Sequence, residues 1–427
     1  MKRDRWPNFG FLALFVAAAG LITGAFLAFN YAPTVDAAHD SVAFISEHVT
    51  LGWLLRGIHH WAGTFAIVLA GLHGCRLFWH GQYKKPRRLL WMTGVGIFLV
   101  LVGFAYTGYL LPGDERAWTG MQVGVGVAES TPVIGESAAA AMRGGDVVSS
   151  ATLTRLYAVH AVILPAALIL LFAAFVVGLK KAGPARRYDD AGEAAPPAWS
   201  SLQRDAWNAV VLVVLMAVLA GVAPPALGDK ADPAGAGSPD AKPEWFFLWV
   251  NQLLEKTEAP TFLVGGVLPG LLLALMFGLP LLARGRNRDP AKRRFEISVA
   301  SVILLGVVFL TVWSAIESAE AESEAEPVAA DGDLDAQAAQ VMKRFRCRSC
   351  HVIDGDPEGG DTGPPFWREA SRNRPAFERL YTKEFFRLKV ADPVAFWEET
   401  QMRYTPPRRK PKPEQIEVLA RYFFGEE

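Results

Sequence analysis

Three histidines, one CxxCH run and one carboxylate among aromatics carry most of the chemistry that this 427-residue chain offers. His59 and His73 lie on one apolar stretch and His160 on another. An imidazole inside a bilayer is costly unless something binds it, and haem iron is the partner that best fits spaced histidines on apolar helices. The step from His59 to His73 is 14 residues. On an α-helix it rises about 21 Å and returns to nearly the same face, so the two rings belong near opposite sides of the hydrocarbon core. His160 enters early in a later span that runs back the other way, at the depth of His59. His59 and His160 are therefore expected to clamp one iron near the outer surface, with His73 serving a second iron near the inner one. A step of 14 or 15 residues beyond His160 lands on Ala174 or Phe175, and no His, Met or Cys occurs between Leu164 and Leu179.

Glycines repeat the period. Gly10 and Gly24 are 14 apart on the first apolar stretch, as are Gly94 and Gly108 on the third. A glycine removes the side chain where a flat macrocycle must approach the backbone. Two such pairs predict two haem-sized slots stacked across the membrane. Arg56 and Arg76, three residues from His59 and His73, are placed to neutralise haem propionates at the two surfaces, or simply to snorkel there. His60 reads as a headgroup-level or propionate-contacting residue.

Cys347-Arg348-Ser349-Cys350-His351 is a CxxCH motif. Its two thiols suit covalent attachment to haem vinyl groups, and His351 suits axial ligation. Zinc is the other reading, but no second Cys/His pair follows downstream. Met402, the only methionine after the motif, is the candidate for the other axial position. Cys75, two residues past His73 and so on another face, reads as a buried inert thiol. Glu244 begins an EWFF run at a membrane edge. A carboxylate there suits proton acceptance, although aromatics at that depth also act as plain interfacial anchors.

These residues need long apolar helices to hold them. The chain is 51% hydrophobic and 20% charged, with mean hydropathy +0.20. Such a balance fits a membrane part plus a soluble part. Equal numbers of basic and acidic residues, 43 of each, imply no nucleic-acid partner. Seven segments are long enough to span: 10–30, 57–80, 89–111, 155–179, 205–224, 261–283 and 296–316. The first is too long for a cleavable signal and leads into further spans. Basic clusters precede span one, join spans two and three, follow span four and join spans six and seven. All fall on one side, which predicts a cytoplasmic N-terminus and an extracytoplasmic C-terminus.

The expected fold is all-α: a seven-span transmembrane bundle carrying a small α-helical domain. Residues 1–190 form a four-span bundle and 191–316 a three-span part. Residues 317–335 are an acidic, Ala-rich tether, and 336–427 a small domain with a helix before Cys347 and another near 413–424.

With these residues in view, the chain resembles the cytochrome b of quinol–cytochrome c reductases, the cytochrome bc complexes. The resemblance covers nearly all of residues 10–316. It rests on GAFLAFNYAPT at 24–34, GWLLRGIHHW at 52–61, YKKPRRLLWMTG at 83–94, TGYLLPGDE at 107–115, TPVIG at 131–135, TLTRLYAVHAVILP at 152–165 and KPEWFFL at 242–248. Several of these look most like the photosynthetic or Gram-positive form, split there into a four-span cytochrome b and a three-span subunit IV, here fused. The last 90 residues are similar to small monohaem cytochromes c, which supports Met402 as a ligand.

The resemblance implies two b haems, one c haem and quinol as substrate. It implies an outer haem on His59 and His160 and an inner haem on His73 and a fourth residue whose place Phe175 takes. It implies an outer quinol-oxidation site with Pro132, Glu244 and Trp245, where Glu244 accepts a proton. It also implies a separate Rieske iron–sulfur protein, the membrane quinone pool, a downstream cytochrome c or oxidase, a homodimeric complex and a bacterial inner membrane. Proton translocation would follow from one electron leaving through the Rieske protein and one crossing by the b haems. Three states of the inner haem stay open: five-coordinate on His73, six-coordinate through His80 or a partner chain, or absent. Retained Gly10, Gly94, His73 and Arg76 favour a haem. A quinone-linked electron-transfer anchor without a Q cycle is the alternative function. A structural or transport protein with incidental haems would make the CxxCH and the histidine spacing coincidences.

Overall fold

The computed structural model describes residues 7–183, 199–231, 242–283, 287–323, 333–344, 387 and 413–424. Seven of its helices are long and apolar enough to cross a membrane. They are α1 (Phe9–Ala28), α3 (Gly52–Trp79), α4 (Arg88–Tyr109), the Ser150–Ala182 rod, α9 (Trp199–Val222), the Phe262–Leu282 rod and α12 (Arg294–Ser323). The Ser150–Ala182 rod comprises α7 (Ser150–Ala158), a π-helical turn (Val159–Ile163) and α8 (Leu164–Ala182). The other rod is a π-helical turn (Phe262–Val267) followed by α11 (Leu268–Leu282). Between spans lie α2 (Ala38–Glu47), α5 (Glu115–Glu129), α6 (Gly135–Arg143) and α10 (Leu248–Lys256). Further along are α13 (Leu334–Arg344) and α14 (Pro413–Phe424). Among the described residues there is no strand, only an isolated bridge between Asp114 and Lys230.

All seven expected spans are present. Their surfaces carry Ile22, Phe26, Leu72, Leu89, Ile169, Leu170, Val211, Leu271, Leu305 and Phe309 exposed. Apolar side chains facing outward on every rod are what lipid requires, and each backbone is satisfied within its own helix. The interior is a cluster of Leu12, Val16, Ala62, Ala66, Ile67, Ile97, Val100, Leu101, Leu168 and Met216. Small residues on α3 let α1 and α9 pack closely against it, while α4 packs on α8.

Both π turns precede a proline, Pro165 or Pro269, by at most a few residues. Proline has no N–H and its ring crowds the carbonyl four residues earlier. A wider turn relieves that crowding without breaking the span.

The spans are tied at both ends. On one side, Asp114 caps α5 by accepting from Ala117 N at 2.8 Å and also accepts from Gly228 N at 3.1 Å. Glu115 N donates to Asp229 O and Ala231 N to Gly113 O. Lys230 Nζ reaches Asp40 Oδ2 at 2.8 Å. On the other side, Arg293 caps the end of α3 by donating to Phe78 O at 3.1 Å and to Trp79 O, and it donates to Tyr83 Oη at 3.2 Å. Tyr83 in turn donates to Glu296, and Arg87 to Gly183 O. Lys84, Arg87 and Arg293 are 4%, 7% and 3% exposed. The basic linkers were read only as markers of one membrane side. Arg87 and Arg293 are buried fasteners, because carbonyls at helix ends and, for Arg293, the Glu296 carboxylate solvate them, while Lys84 Nζ lies over the Tyr83 ring at 5.8 Å.

A second compact unit runs from Trp313 to the C-terminus, with residues 238–242. Within it, Ala338, Val341 and Met342 of α13 pack on Leu419, Ala420 and Phe423 of α14. Arg387 forks onto Glu417 Oε2 at 2.9 and 2.6 Å. Cys347, Cys350, His351 and Met402 lie outside the described residues.

Candidate haem and quinol sites

His59 on α3 and His160 in the first π turn come together with ring centroids 6.0 Å apart and planes at 70°. Two metal–nitrogen bonds of about 2 Å use most of that separation, and the two ring radii use the rest. Each Nδ1 is already committed. Gly20 O lies 2.9 Å from His59 Nδ1, and a carbonyl only accepts, so the proton sits on Nδ1. Thr107 Oγ1 gives its own proton to Gly103 O at 2.8 Å and accepts from His160 Nδ1 at 2.9 Å. Both rings therefore hold the tautomer whose Nε2 lone pair is free for a metal.

Glycines make room for these rings. A Cβ at Gly24 would stand 2.8 Å from His59 Cε1, and one at Gly108 would stand 2.9 Å from His160 Cε1. At Gly10 it would stand 2.8 Å from His73 Cε1. Real Cβ atoms do not approach so closely, so each imidazole occupies a place that only glycine leaves open. His73 Nδ1 is buried without a hydrogen-bond partner. The donor chemistry and these cradles fit haem b at the outer pair. At the inner position one imidazole fits, and among the described residues no second one meets Gly94.

The π turn lies in the rod at His160 itself. It inserts one extra residue into the rod after His160 begins. Leu171 lies at Gly96 and Leu90 at Gly178, so the stretch of α8 that carries Ala174 and Phe175 runs across from Gly94. Phe175 packs against the interior cluster. Gly94, the fourth glycine of the pattern, has nothing within 4 Å of its Cβ position.

Arg56 donates to Ser46 Oγ at 3.4 Å and to Ala226 O at 3.2 Å, and Arg76 to Pro7 O at 3.2 Å. His60 sits edge-on to Trp61. Cys75 is exposed, not buried as expected. Two residues turn an α-helix by about 200°, which carries Cys75 to the side away from His73 and the bundle.

The second site forms where Glu244 caps the short Trp245–Phe247 turn. Its Oε1 lies 3.3 Å from Arg116 Nη1, and its side chain is 15% exposed. Phe247 meets Tyr106 and Tyr109 with ring centroids at 5.5 and 6.3 Å. Trp245 Nε1 donates to Thr64 Oγ1 at 3.4 Å. The result is one carboxylate, one guanidinium and edge-on or tilted aromatic walls at the end of α4, a place suited to a flat hydroxylated ring. Pro132 stands on the turn after α5, at the other end of that helix from Arg116, about 20 Å away along its axis. There Ile134 N donates to Pro132 O at 2.9 Å across Val133, whose φ of 71° is left-handed. A β-branched residue in that conformation is strained, and Val133 is fully exposed.

Sequence reasoning missed Arg116, Thr107 and the carbonyl of Gly20. Pro165 was the signal for the π turn.

Fold and site define a multi-pass helical membrane protein with a facing pair of intramembrane imidazoles. The family model described as Cytochrome b/b6/petB matches residues 2–183, and that described as Cytochrome b(C-terminal)/b6/petD matches residues 230–328. The menaquinol:cytochrome c reductase cytochrome b subunit of Bacillus subtilis (strain 168) is 43% identical over 176 residues, 41% of this chain and 79% of that protein. The cytochrome bc complex cytochrome b subunit of Chlorobaculum thiosulfatiphilum is 34% identical over 319 residues, 70% of this chain and 72% of that one. A solved structure, a hyperthermophilic respiratory Complex III, aligns with TM-score 0.65 and 25% identity, covering 74% of this chain and 85% of that one. This chain belongs to the cytochrome b/b6 family of cytochrome bc complexes, with the cytochrome b and subunit-IV-like parts in one polypeptide. It is a family that binds haem b.

Proposed function

We propose that this chain is the cytochrome b/c subunit of a quinol–cytochrome c oxidoreductase that oxidises quinol at the outer face of a bacterial inner membrane. The observation that carries the reading is the His59–His160 pair, 6.0 Å apart, with both Nδ1 atoms committed and a glycine behind each ring. His59 and His160 hold the outer haem b and His73 the inner one, with Gly10, Gly24, Gly94 and Gly108 shaping the pockets. Arg56 and Arg76 meet the propionates. Bound haem b supplies one-electron acceptance and passage across the membrane.

The chain's own residues bind and deprotonate the substrate. Quinol loses two electrons and two protons to become quinone. Phe247, Tyr106 and Tyr109 wall its ring, Glu244 takes one proton at its carboxylate, and the other passes to water at the outer face. Trp245 anchors the Glu244 turn to Thr64. Pro132 holds the turn that closes the far end of α5. Electrons divide between a separate Rieske iron–sulfur protein and the b haems, which couples the reaction to proton translocation. The relatives named for menaquinol:cytochrome c reductase support this substrate class.

Cys347 and Cys350 attach a c haem ligated by His351 and Met402, on an extracytoplasmic domain of residues 336–427 tethered by 317–335. Residues 1–190 and 191–316 form the four-span and three-span parts. Electrons leave to a downstream cytochrome c or oxidase from a homodimeric complex. The test is quinol-driven reduction of cytochrome c by the purified complex. No quinol-dependent reduction of either haem type would sink the reading. Cys347→Ser should remove covalent haem from the denatured chain, and its retention would exclude the motif.

An open Gly94 across from the stretch of α8 that carries Phe175 favours one second reading, an electron-transfer anchor without a Q cycle. A complex holding one b haem for each c haem and needing no Rieske partner would establish it.

A further inference from the structure

We propose that the inner haem iron has a single protein ligand, His73, and an open face between Gly94 and Phe175 that binds a small neutral diatomic ligand such as carbon monoxide. The proposal rests on the reading that His73 holds a haem.

The argument begins with the four glycines. Three of them, Gly10, Gly24 and Gly108, each have an imidazole carbon within 2.9 Å of their Cβ position. Gly94 has nothing within 4 Å. The pattern therefore breaks at one corner, which lies between the Gly96–Leu171 and Leu90–Gly178 contacts, across from the stretch of α8 that carries Phe175. Phe175 stands on that stretch fifteen residues after His160, beyond the π turn at Val159–Ile163. A phenyl ring has no lone pair to give. Its packing against the interior cluster holds it as a wall of the pocket. No other His, Met or Cys occurs on that span from Leu164 to Leu179.

The chemistry of the walls sets the ligand class. Gly94 and Phe175 offer an incoming ligand no side-chain hydrogen bond and no charge. A hydrated ligand entering between them would lose its hydrogen bonds to water without replacement. A neutral diatomic loses almost nothing, and ferrous iron opposite an imidazole binds it directly, as open distal faces do.

The experiment uses the intact purified complex. Pyridine haemochrome spectra give the b:c ratio. Electron paramagnetic resonance of the oxidised complex reads iron spin state, and the dithionite-reduced complex is titrated with carbon monoxide. The expected result is two b haems for each c haem, a high-spin ferric signal, and about one carbon monoxide bound at b haem per chain. Phe175→His should lower that binding below about a tenth of the original and convert the high-spin signal to low-spin at unchanged haem content. Two low-spin b haems without carbon monoxide binding in the unaltered complex would overturn the open face and leave haem on His73 standing. A single b haem for each c haem would overturn the underlying reading as well. If Phe175→His does not assemble, His73→Ala decides: loss of the carbon monoxide-binding haem alone supports the proposal, and retention of it overturns the assignment.

Discussion

Arg116 at the start of α5 and Glu244 at the start of the Trp245 turn form an ion pair, with 3.3 Å between Nη1 and Oε1. It joins the first part of the chain to the second at the point where quinol is proposed to lose its proton. The Arg116 side chain is 41% exposed, so the pair adds little to stability, about 0–1 kcal/mol. Its effect is to fix where the carboxylate points. Glu244→Gln should lower kcat for quinol oxidation by about 100-fold or more, the range for loss of a general base. Arg116→Met should raise KM and lower kcat modestly, and Arg116→Lys should recover most of the loss. Steady-state kinetics with a soluble quinol analogue checks both, and an unchanged kcat in Glu244→Gln would remove that residue from the chemistry.

The cradles at Gly24 and Gly108 make a second prediction. A valine at either position would push its Cβ to within 2.9 Å of an imidazole carbon. The ring must move, and the lone pair with it. Each variant should lose the outer haem's share of b-type absorbance, while Gly63→Ala, with nothing within 4 Å, should keep it. Haem-to-protein ratios after purification decide.

Thr107→Val should leave His160 Nδ1–H without its acceptor at 2.9 Å. An imidazole that no longer donates this hydrogen bond is a poorer electron donor to iron. The outer haem should become easier to reduce, and its retention should weaken by about 10- to 100-fold. A redox titration showing an unmoved or lowered potential would count against Thr107 as the orienting partner.

At the opposite end of the bundle, burial and the Glu296 contact push the Tyr83 phenol up to about 12 from its ordinary 10.0. The folded protein thus holds this proton more tightly than the unfolded chain. The stabilisation is complete below pH 10 and is lost as pH rises towards 12. Thermal melts followed by haem absorbance should fall through that window, and Tyr83→Phe should flatten the fall. Arg293→Ala should destabilise at every pH, by about 3–5 kcal/mol, because Glu296 and two carbonyl ends lose their buried cation.

Local signals made much of this molecule legible. Each span announced itself by twenty or so apolar residues, and the 14-residue step from His59 to His73 needs only the pitch of a helix. Glu244 stood out because a carboxylate in an aromatic run is unusual, and the helices at 334–344 and 413–424 followed from their own apolar periodicity. Helix rotation was harder to read. Cys75 was expected inside and lies outside, because sequence spacing fixes its angle from His73 but not which side meets the neighbours.

What the sequence alone determined, then, is what depends on residues close along the chain: seven spans, the ligand types and their spacing on one helix. The tertiary structure decided everything that depends on two helices meeting. It set which glycine faces which imidazole and which Nδ1 finds an acceptor. It paired Arg116 with Glu244 and left Gly94 facing no ring. It also widened the turn at His160, just before Pro165. Hydrophobic length is written locally, whereas register and rotation are fixed only when neighbouring helices pack and their buried polar atoms must be satisfied.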